Sequence, residues 1–449
     1  MNFDEAVSRS PLRPFHWAIV TVCMLVLVAD GIDLQLLGLV APLVIEEWGV
    51  DRGSFGWAMS AALVGMAFGA WGGGYAGDRI GRRNALAAAA LLFGLATIAA
   101  SLAHSIPVMT IWRMIGGLGF GAAFPNSLAL ASEWLPERWR SYAITALSVG
   151  TPAGGAVAAA LAPKLLAAYG WRGTFVVFGV ATLLLIVLVL GVLRDSPSFL
   201  AAHGQHDRAR RHARKVLPAG VTFDPATVEY GVEYGGGTAR DQAIGVFHPA
   251  NRRLNWGVGI GFAASTLVAY AIISWGTTFL AAAGLTLDQA LTASFLVGIT
   301  SIAGALAAGF LARHFGSRAV MLGVSAALLL AIAALAGLLE TLVGPPTPVA
   351  RVTVQVLVSA VSGIVSIGIA TIYVMMTLGY PQSCRSGGIG FGMLIGRVGA
   401  ILASFGGGHL IDLGAGSLLP LFSVLLVAAV LVAAPAFIVD KHIRPAGRV

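Results

Sequence analysis

The sequence predicts an all-α polytopic membrane protein with twelve transmembrane helices in two pseudo-symmetric six-helix halves. Three observations carry this prediction. The 449 residues are 57% hydrophobic and only 11% charged, whereas soluble domains carry roughly 25% charge to cover their surface. Apolar runs of about 20 residues, the length that crosses a ~30 Å hydrocarbon core, recur along the whole chain. A segment of the first half also returns in the second. Shifted by 235, Gly69–Arg83 falls on Gly304–Arg318, with Gly69/Gly304, Ala70/Ala305, Gly74/Gly309, Gly81/Gly316 and Arg83/Arg318 coinciding. An even number of spans per half gives two halves of parallel orientation.

In chain order the spans are expected near 16–40, 54–76, 84–103, 107–131, 141–163 and 173–193, then 254–282, 290–312, 319–340, 350–378, 386–411 and 418–438. The domains follow: an N-terminal bundle over 1–193, a central cytoplasmic loop over 194–253, and a C-terminal bundle with a short tail over 254–449. The 58 glycines suit helices that pack closely through small residues. Asp4, Glu5, Arg9 and Arg13 precede an apolar run too long for a signal h-region, so the first span is expected to stay uncleaved.

Charge placement sets the expected orientation. With the N-terminus inside, 22 of the 28 Lys and Arg fall on the cytoplasmic side and 4 on the other, as the positive-inside rule requires. Both termini are then cytoplasmic, and the net charge of +8 needs no nucleic-acid partner. The run Arg208–Lys215 reads as a solvated or headgroup-facing helix. Cys23 and Cys384 make neither a disulfide framework nor a metal site. His16, His104, His314 and His409 are scattered, and no phosphate-binding loop is present. Enzyme chemistry, cofactors, metals and ATP drive are not expected, so energy must come from a gradient. The Asp pair of the first span suggests protons, with sodium open.

Two motifs bring a resemblance. Gly74-x-x-x-Asp78-Arg79-x-Gly81-Arg82-Arg83 resembles the signature loop between spans two and three of the major facilitator superfamily. Arg113-x-x-x-Gly117-x-Gly119-x-Gly121 resembles its span-four signature; in the second half Arg313 replaces the loop Asp. Finer features resemble the aromatic acid/proton symporter branch: Asp30-Gly-Ile-Asp33, Phe124–Glu133 with Pro136 and Arg140, Gly170-Trp-Arg172, Asp195–Leu200, Ser274-Trp275, Tyr380-Pro, Arg385-Ser and Gly396–Ala400. That branch implies a bacterial symporter that imports a small organic anion such as a benzoate or hydroxybenzoate with protons; the expected carrier sits in the inner membrane, works by alternating access and functions as a monomer. Carriage of a non-aromatic organic acid or sugar acid, efflux by antiport, and a membrane sensor that uses 194–253 as its output are the alternatives.

Charge is expensive inside a bilayer, and the intramembrane charges are Asp30, Asp33, Arg113 and Arg397. Asp30 and Asp33 lie one turn apart on one helical face. Helical rise puts Asp30 about 21 Å from the cytoplasmic end and Arg113 about 9 Å below the other face, depths that allow pairing. One carboxylate is the candidate proton carrier; a permanent ion pair that locks the helices is the alternative. Arg397, about 16 Å into span eleven, has no acid at its depth in its own half. It asks for a bidentate carboxylate substrate or for carbonyls of a neighbouring helix. Arg113 is the competing anion site. Asn126, Trp275, Ser274, Tyr270, Gln355, Tyr373 and Phe391 lie near enough to span centres to complete a pocket for a flat ring, or else they serve packing. Asp78, Arg79, Arg82, Arg83 and Glu133 gather at cytoplasmic ends and are expected to hold an inner gate closed.

Overall fold

The computed structural model describes residues 3–8, 10–217, 245–341, 346–381, 384–440 and 442. Among them every regular element is helical. The first half comprises α1 (Phe3–Ser8), α2 (Pro14–Trp48), α3 (Arg52–Ile80), α4 (Arg82–Ala100), α5 (Ile106–Trp134), α6 (Glu137–Ser148) and α7 (Gly150–Val192). Two short helices follow, α8 (Pro197–Ala202) and α9 (His206–Ala213), and a 3-10 turn at Pro249–Asn251 opens the second half. That half comprises α10 (Arg252–Ala282), α11 (Leu287–Phe315), α12 (Ser317–Thr341), α13 (Pro348–Gly379), α14 (Arg385–Leu413), α15 (Leu419–Leu431) and α16 (Ala434–Ile438).

Among the described residues, eleven stretches are long and apolar enough to span a membrane, and one of them holds two crossings. Arg138–Val192 is 55 residues long, about 80 Å of helix against a ~30 Å core. Gly170, with φ 63° and ψ −176°, breaks it. The fifth and sixth spans are thus joined by a single left-handed residue, a conformation that glycine adopts without steric penalty. Elsewhere the starts are set by side chains. The Asp51 carboxylate accepts from Ser54 N at 2.6 Å to cap α3, Thr286 and Gln289 form a capping box on α11, and Thr347 caps α13. Each satisfies helix donors that have no partner within the helix.

The internal repeat has a physical basis. Gly81 (φ 91°) and Gly316 (φ 81°) both end a helix in the left-handed region and turn the chain into the next span. A Cβ on Gly69 would lie 2.2 Å from Leu118 O, and one on Gly304 would lie 2.2 Å from Gly363 O. α3 therefore crosses α5 as α11 crosses α13, with the backbones in contact. Arg313, at the place of the first-half Asp, is exposed.

The start of the central segment packs onto the first half. Ala209, Ala213 and Val216 are buried in a cluster with Phe3, Val7, Trp134 and Leu135, while Arg208, Arg210, Arg211, Arg214 and Lys215 stay exposed. The expected solvated basic helix is therefore amphipathic. The remainder of the loop, 218–244, and the tail arginines lie outside the described residues.

The halves close on each other at the face opposite α1. Gly53 N (2.9 Å) and Arg52 Nη1 (3.1 Å) donate to the Asp412 carboxylate. The backbones meet directly as well: a Cβ on Gly38 would fall 2.4 Å from Ile273 O, one on Gly56 2.3 Å from Phe405 O, and one on Gly408 2.1 Å from Arg52 O. Thr277 also donates to Gly38 O.

Candidate functional site

The two carboxylates of α2 have separate environments. Asp33, 3% exposed, accepts from Arg113 Nη1 at 2.5 Å and from Thr97 Oγ1 at 2.5 Å, and its main-chain oxygen takes Arg113 Nη2 at 3.0 Å. Arg113, 3% exposed, thereby ties α5 to α2 and also borders a small gap with Tyr270, Ile273 and Ser274. Asp30, 2% exposed, accepts from Thr151 Oγ1 at 3.1 Å through Oδ2, while its Oδ1 is buried without a hydrogen-bond partner. The contact exists because Gly31 lets α2 touch α7: a Cβ there would stand 1.9 Å from Thr151 O.

Between the halves lies a cavity of about 290 Å³, lined from the first half by Gly31, Leu34, Gln35 and Thr151. From the second half come Phe262, Tyr270, Ile273, Tyr373, Met393 and Arg397, together with Ser301, Ser362 and Ser366. On its side toward the face opposite α1, α2 and α10 meet backbone to backbone at Gly38 and Ile273. Arg397 Nη1 donates to Tyr270 OH at 3.1 Å and approaches Met66 Sδ at 3.8 Å. Among the described residues no carboxylate stands within ion-pair distance of it. Asp30 is within electrostatic reach but makes no hydrogen bond to it. A half-buried guanidinium with one hydroxyl partner keeps donors free for an anion. Thr151 lines the cavity and also holds Asp30, so the carboxyl sits one hydroxyl behind the wall.

Of the residues expected in a pocket, Arg397, Tyr270 and Tyr373 line this cavity. The others lie elsewhere. Asn126 is fully buried between α3 and α5, its Nδ2 donating to Gly73 O and Ala122 O at 2.8 Å. Trp275 Nε1 donates to Ser404 O at 3.0 Å, and Ser274 pairs with Ser404 at 2.7 Å, so both fasten α10 to α14. Gln355 Nε2 donates to Gln289 O at 3.0 Å and links α13 to α11. Phe391 meets Phe247 edge to face at 5.5 Å in a separate groove beside Trp256. Thr97, Thr151 and the three serines were not singled out from the sequence, where hydroxyl residues in apolar helices give no hydropathy signal.

The residues expected to form the gate make contacts that stay on one side of the molecule's two halves. Arg82 pairs with Asp78 and with Glu133 (3.2 Å). Arg83 N donates to Asp195 Oδ1 at 3.1 Å, and the Arg83 side chain donates to Leu190 O. Arg79 stacks over Tyr75 at 4.5 Å. These partners lie in the first half or, for Asp195, just after it, so in this conformation the cluster braces α3, α4 and α5 against the segment after α7.

Comparison with known proteins agrees with this architecture. The model of the Major Facilitator Superfamily matches residues 23–404. The 4-hydroxybenzoate transporter PcaK of Pseudomonas aeruginosa is 31% identical over 419 residues, covering 92% of this chain and 90% of that protein. The gallate transporter of Pseudomonas putida is 29% identical, covering 99% and 96%. Among solved structures, a partially occluded inward open conformation of the xylose transporter XylE from E. coli superposes with a TM-score of 0.72 at 17% identity, covering 96% of this chain and 99% of that one.

Proposed function

The chain belongs to the Major Facilitator Superfamily, and we propose that within it the protein is a proton-coupled importer of a small aromatic carboxylate. One observation carries the reading: Arg397 faces the cavity with a tyrosine hydroxyl, not a carboxylate, as its polar partner. A single-ring acid suits about 290 Å³, at the small end of ligand pockets, and the names of the relatives support the aromatic class. The carboxylate pairs bidentately with Arg397, and the ring lies among Phe262, Ile273, Tyr373 and Met393.

Asp30 serves as the proton site and Asp33 as the lock. Burial favours a neutral carboxyl and a nearby cation a charged one, and Asp30 has both influences without the full pairing that fixes Asp33. An anion on Arg397 together with a proton on Asp30 leaves the loaded cavity without uncompensated charge, so the halves rock past each other without carrying naked charge through low dielectric. The 22-to-4 split of basic residues supports a cytoplasmic location for the α1 face in a bacterial inner membrane. The cavity is then inward-facing, and Asp78, Arg79, Arg82, Arg83 and Glu133 stand ready to engage the second half when the inner side closes. Residues 1–193 and 254–449 move as the two units of a monomeric carrier, joined by 194–253.

The test is uptake of labelled benzoate and hydroxybenzoates into proteoliposomes under an imposed inward proton gradient, with an uncoupler control. Gradient-dependent accumulation that survives in Asp33→Glu but is uncoupled in Asp30→Asn is expected. Accumulation indifferent to the proton gradient, or unchanged in Asp30→Asn, would sink the coupling role.

A further inference from the structure

We propose that the groove beside Trp256 binds an anionic phospholipid, with the phosphate on Arg252 and one acyl chain laid along α10. The groove, of about 570 Å³, is separate from the cavity between the halves, and its occupant is independent of what that cavity carries. Its walls are Phe247, Trp256, Ile260, Ala263, Phe391 and Ile395, with Arg252 beside them. On α14 the groove takes Ile395 while the cavity takes Arg397, and two residues are about 200° of helix. Val398 and Leu402 follow on the Ile395 side at helical spacing, and both are exposed. Large apolar side chains exposed within a span face lipid tails. The groove therefore opens to lipid, on the far side of the α10–α14 seam from the cavity.

Along the groove the chemistry changes in the order of a lipid molecule. Arg252 opens α10 and is exposed. Among the described residues its side chain has no ion pair or hydrogen bond, whereas the neighbouring Arg253 is engaged by Asp440 at 2.6 Å and Ile438 O at 3.0 Å. A free guanidinium fork matches phosphate oxygens. Trp256 lies one turn deeper, where an indole suits a membrane interface. Beyond it Gly259, Ile260 and Ala263 offer only apolar surface. From Arg252 to Ala263 the helix rises about 16 Å, close to half of a ~30 Å core, which is the reach of one acyl chain in one leaflet. Asn255 has no polar atom to spare for a ligand: it accepts from Tyr380 OH at 2.6 Å and donates to Val246 O at 2.9 Å. The one free charge at the groove is thus positive. A zwitterionic headgroup would bring a second cation to a place where the nearby Asp440 is already paired, so the site favours an anionic lipid.

The experiment places the full-length protein in phosphatidylcholine liposomes doped with phosphatidylglycerol or phosphatidylcholine carrying a photoactivatable diazirine in one acyl chain. Labelled residues are mapped by mass spectrometry after irradiation. The expected result is labelling within 256–263 and 391–395, about fivefold stronger from the phosphatidylglycerol probe, the size of one basic residue's attraction to an anionic lipid. Arg252→Gln should bring the two probes to equal labelling of the groove. Its side chain is exposed and unpaired, so the variant should keep the native size-exclusion profile. Ile260→Trp, which fills the groove, should remove the label there from both probes while label at Leu402 persists. Equal groove labelling by the two probes in the native protein, or a phosphatidylglycerol preference that survives Arg252→Gln, overturns the proposal. So does groove labelling no stronger than that at Leu402.

Discussion

Removing one member of the Asp33–Arg113 pair should destabilise the first half far more than removing Asp30. The Asp33 carboxylate holds two hydrogen bonds of 2.5 Å, one from a guanidinium and one from Thr97. Hydrogen bonds to charged groups contribute roughly 1.5–3 kcal/mol each, and a buried cation left alone is itself penalised. The single change Asp33→Asn should therefore cost about 3–5 kcal/mol. Neutralising both ends in Asp33→Asn/Arg113→Gln removes the orphaned charge, and the loss should fall below about 2 kcal/mol. Asp30→Asn keeps one 3.1 Å contact to Thr151 and breaks no ion pair, so its cost should stay under about 1 kcal/mol. Equilibrium unfolding in mixed micelles, with SDS as denaturant, gives these three values, and the single Arg113→Gln completes a double-mutant cycle. A fully stable Asp33→Asn, or a double variant as unstable as the sum of the singles, would refute the view that Asp33 is a structural lock.

Other outcomes follow from the same contacts. Arg397→Lys keeps the charge but loses the planar fork, and should raise KM for the transported acid roughly 10–100-fold, read from uptake kinetics. Arg52→Ala weakens a half-exposed bridge to Asp412 and should shift the conformational equilibrium away from the present closure by only about two- to fivefold, visible as changed distances between spin labels on α3 and α14. Gly304→Ala drives a Cβ to 2.2 Å from Gly363 O and should reduce folded yield, whereas Gly309→Ala, with nothing within 4 Å, should not. The Ser54 O–H and N–H hold the Asp51 carboxyl below the ordinary carboxylate value. Asp51→Ala should cost about 1 kcal/mol at neutral pH, and the gap should close as pH falls through that lowered value, where the native cap protonates too.

Much of the architecture was legible because it is written in residue class and spacing. Span lengths, the repeat and the intramembrane charges are one-dimensional facts. Depth along a helix is also one-dimensional, so Asp30, Asp33, Arg113 and Arg397 were recognisable as costly groups. Azimuth is not. Whether Arg113 meets Asp33 or the cavity depends on the rotation of α5 against α2, which Gly65 and Gly117 help to set where α3 packs on α5. The same blindness explains Trp275, Ser274 and Asn126, whose polar atoms turn into helix contacts. Ser362, Ser366 and Tyr373 do share a helical face in the sequence, yet nothing in it distinguishes that face from one turned to a neighbour. The cluster of Asp78, Arg82, Arg83 and Glu133 differs in kind: a sequence names its members, but not the partners they take in this conformation.

The seal above the cavity is made largely of main chain meeting main chain, at Gly38 with Ile273, Gly56 with Phe405 and Gly408 with Arg52. Such a closure acts as electrical insulation. Two backbones in van der Waals contact leave little room for a file of water along which protons can hop, and beside them the Arg52–Asp412 pair is the contact that salt would loosen. In a machine driven by an ion gradient, a leaky lid is a short circuit that dissipates the driving force without moving cargo. A single methyl group at Gly38 or Gly56 would wedge the lid ajar, and the first sign would be current without uptake.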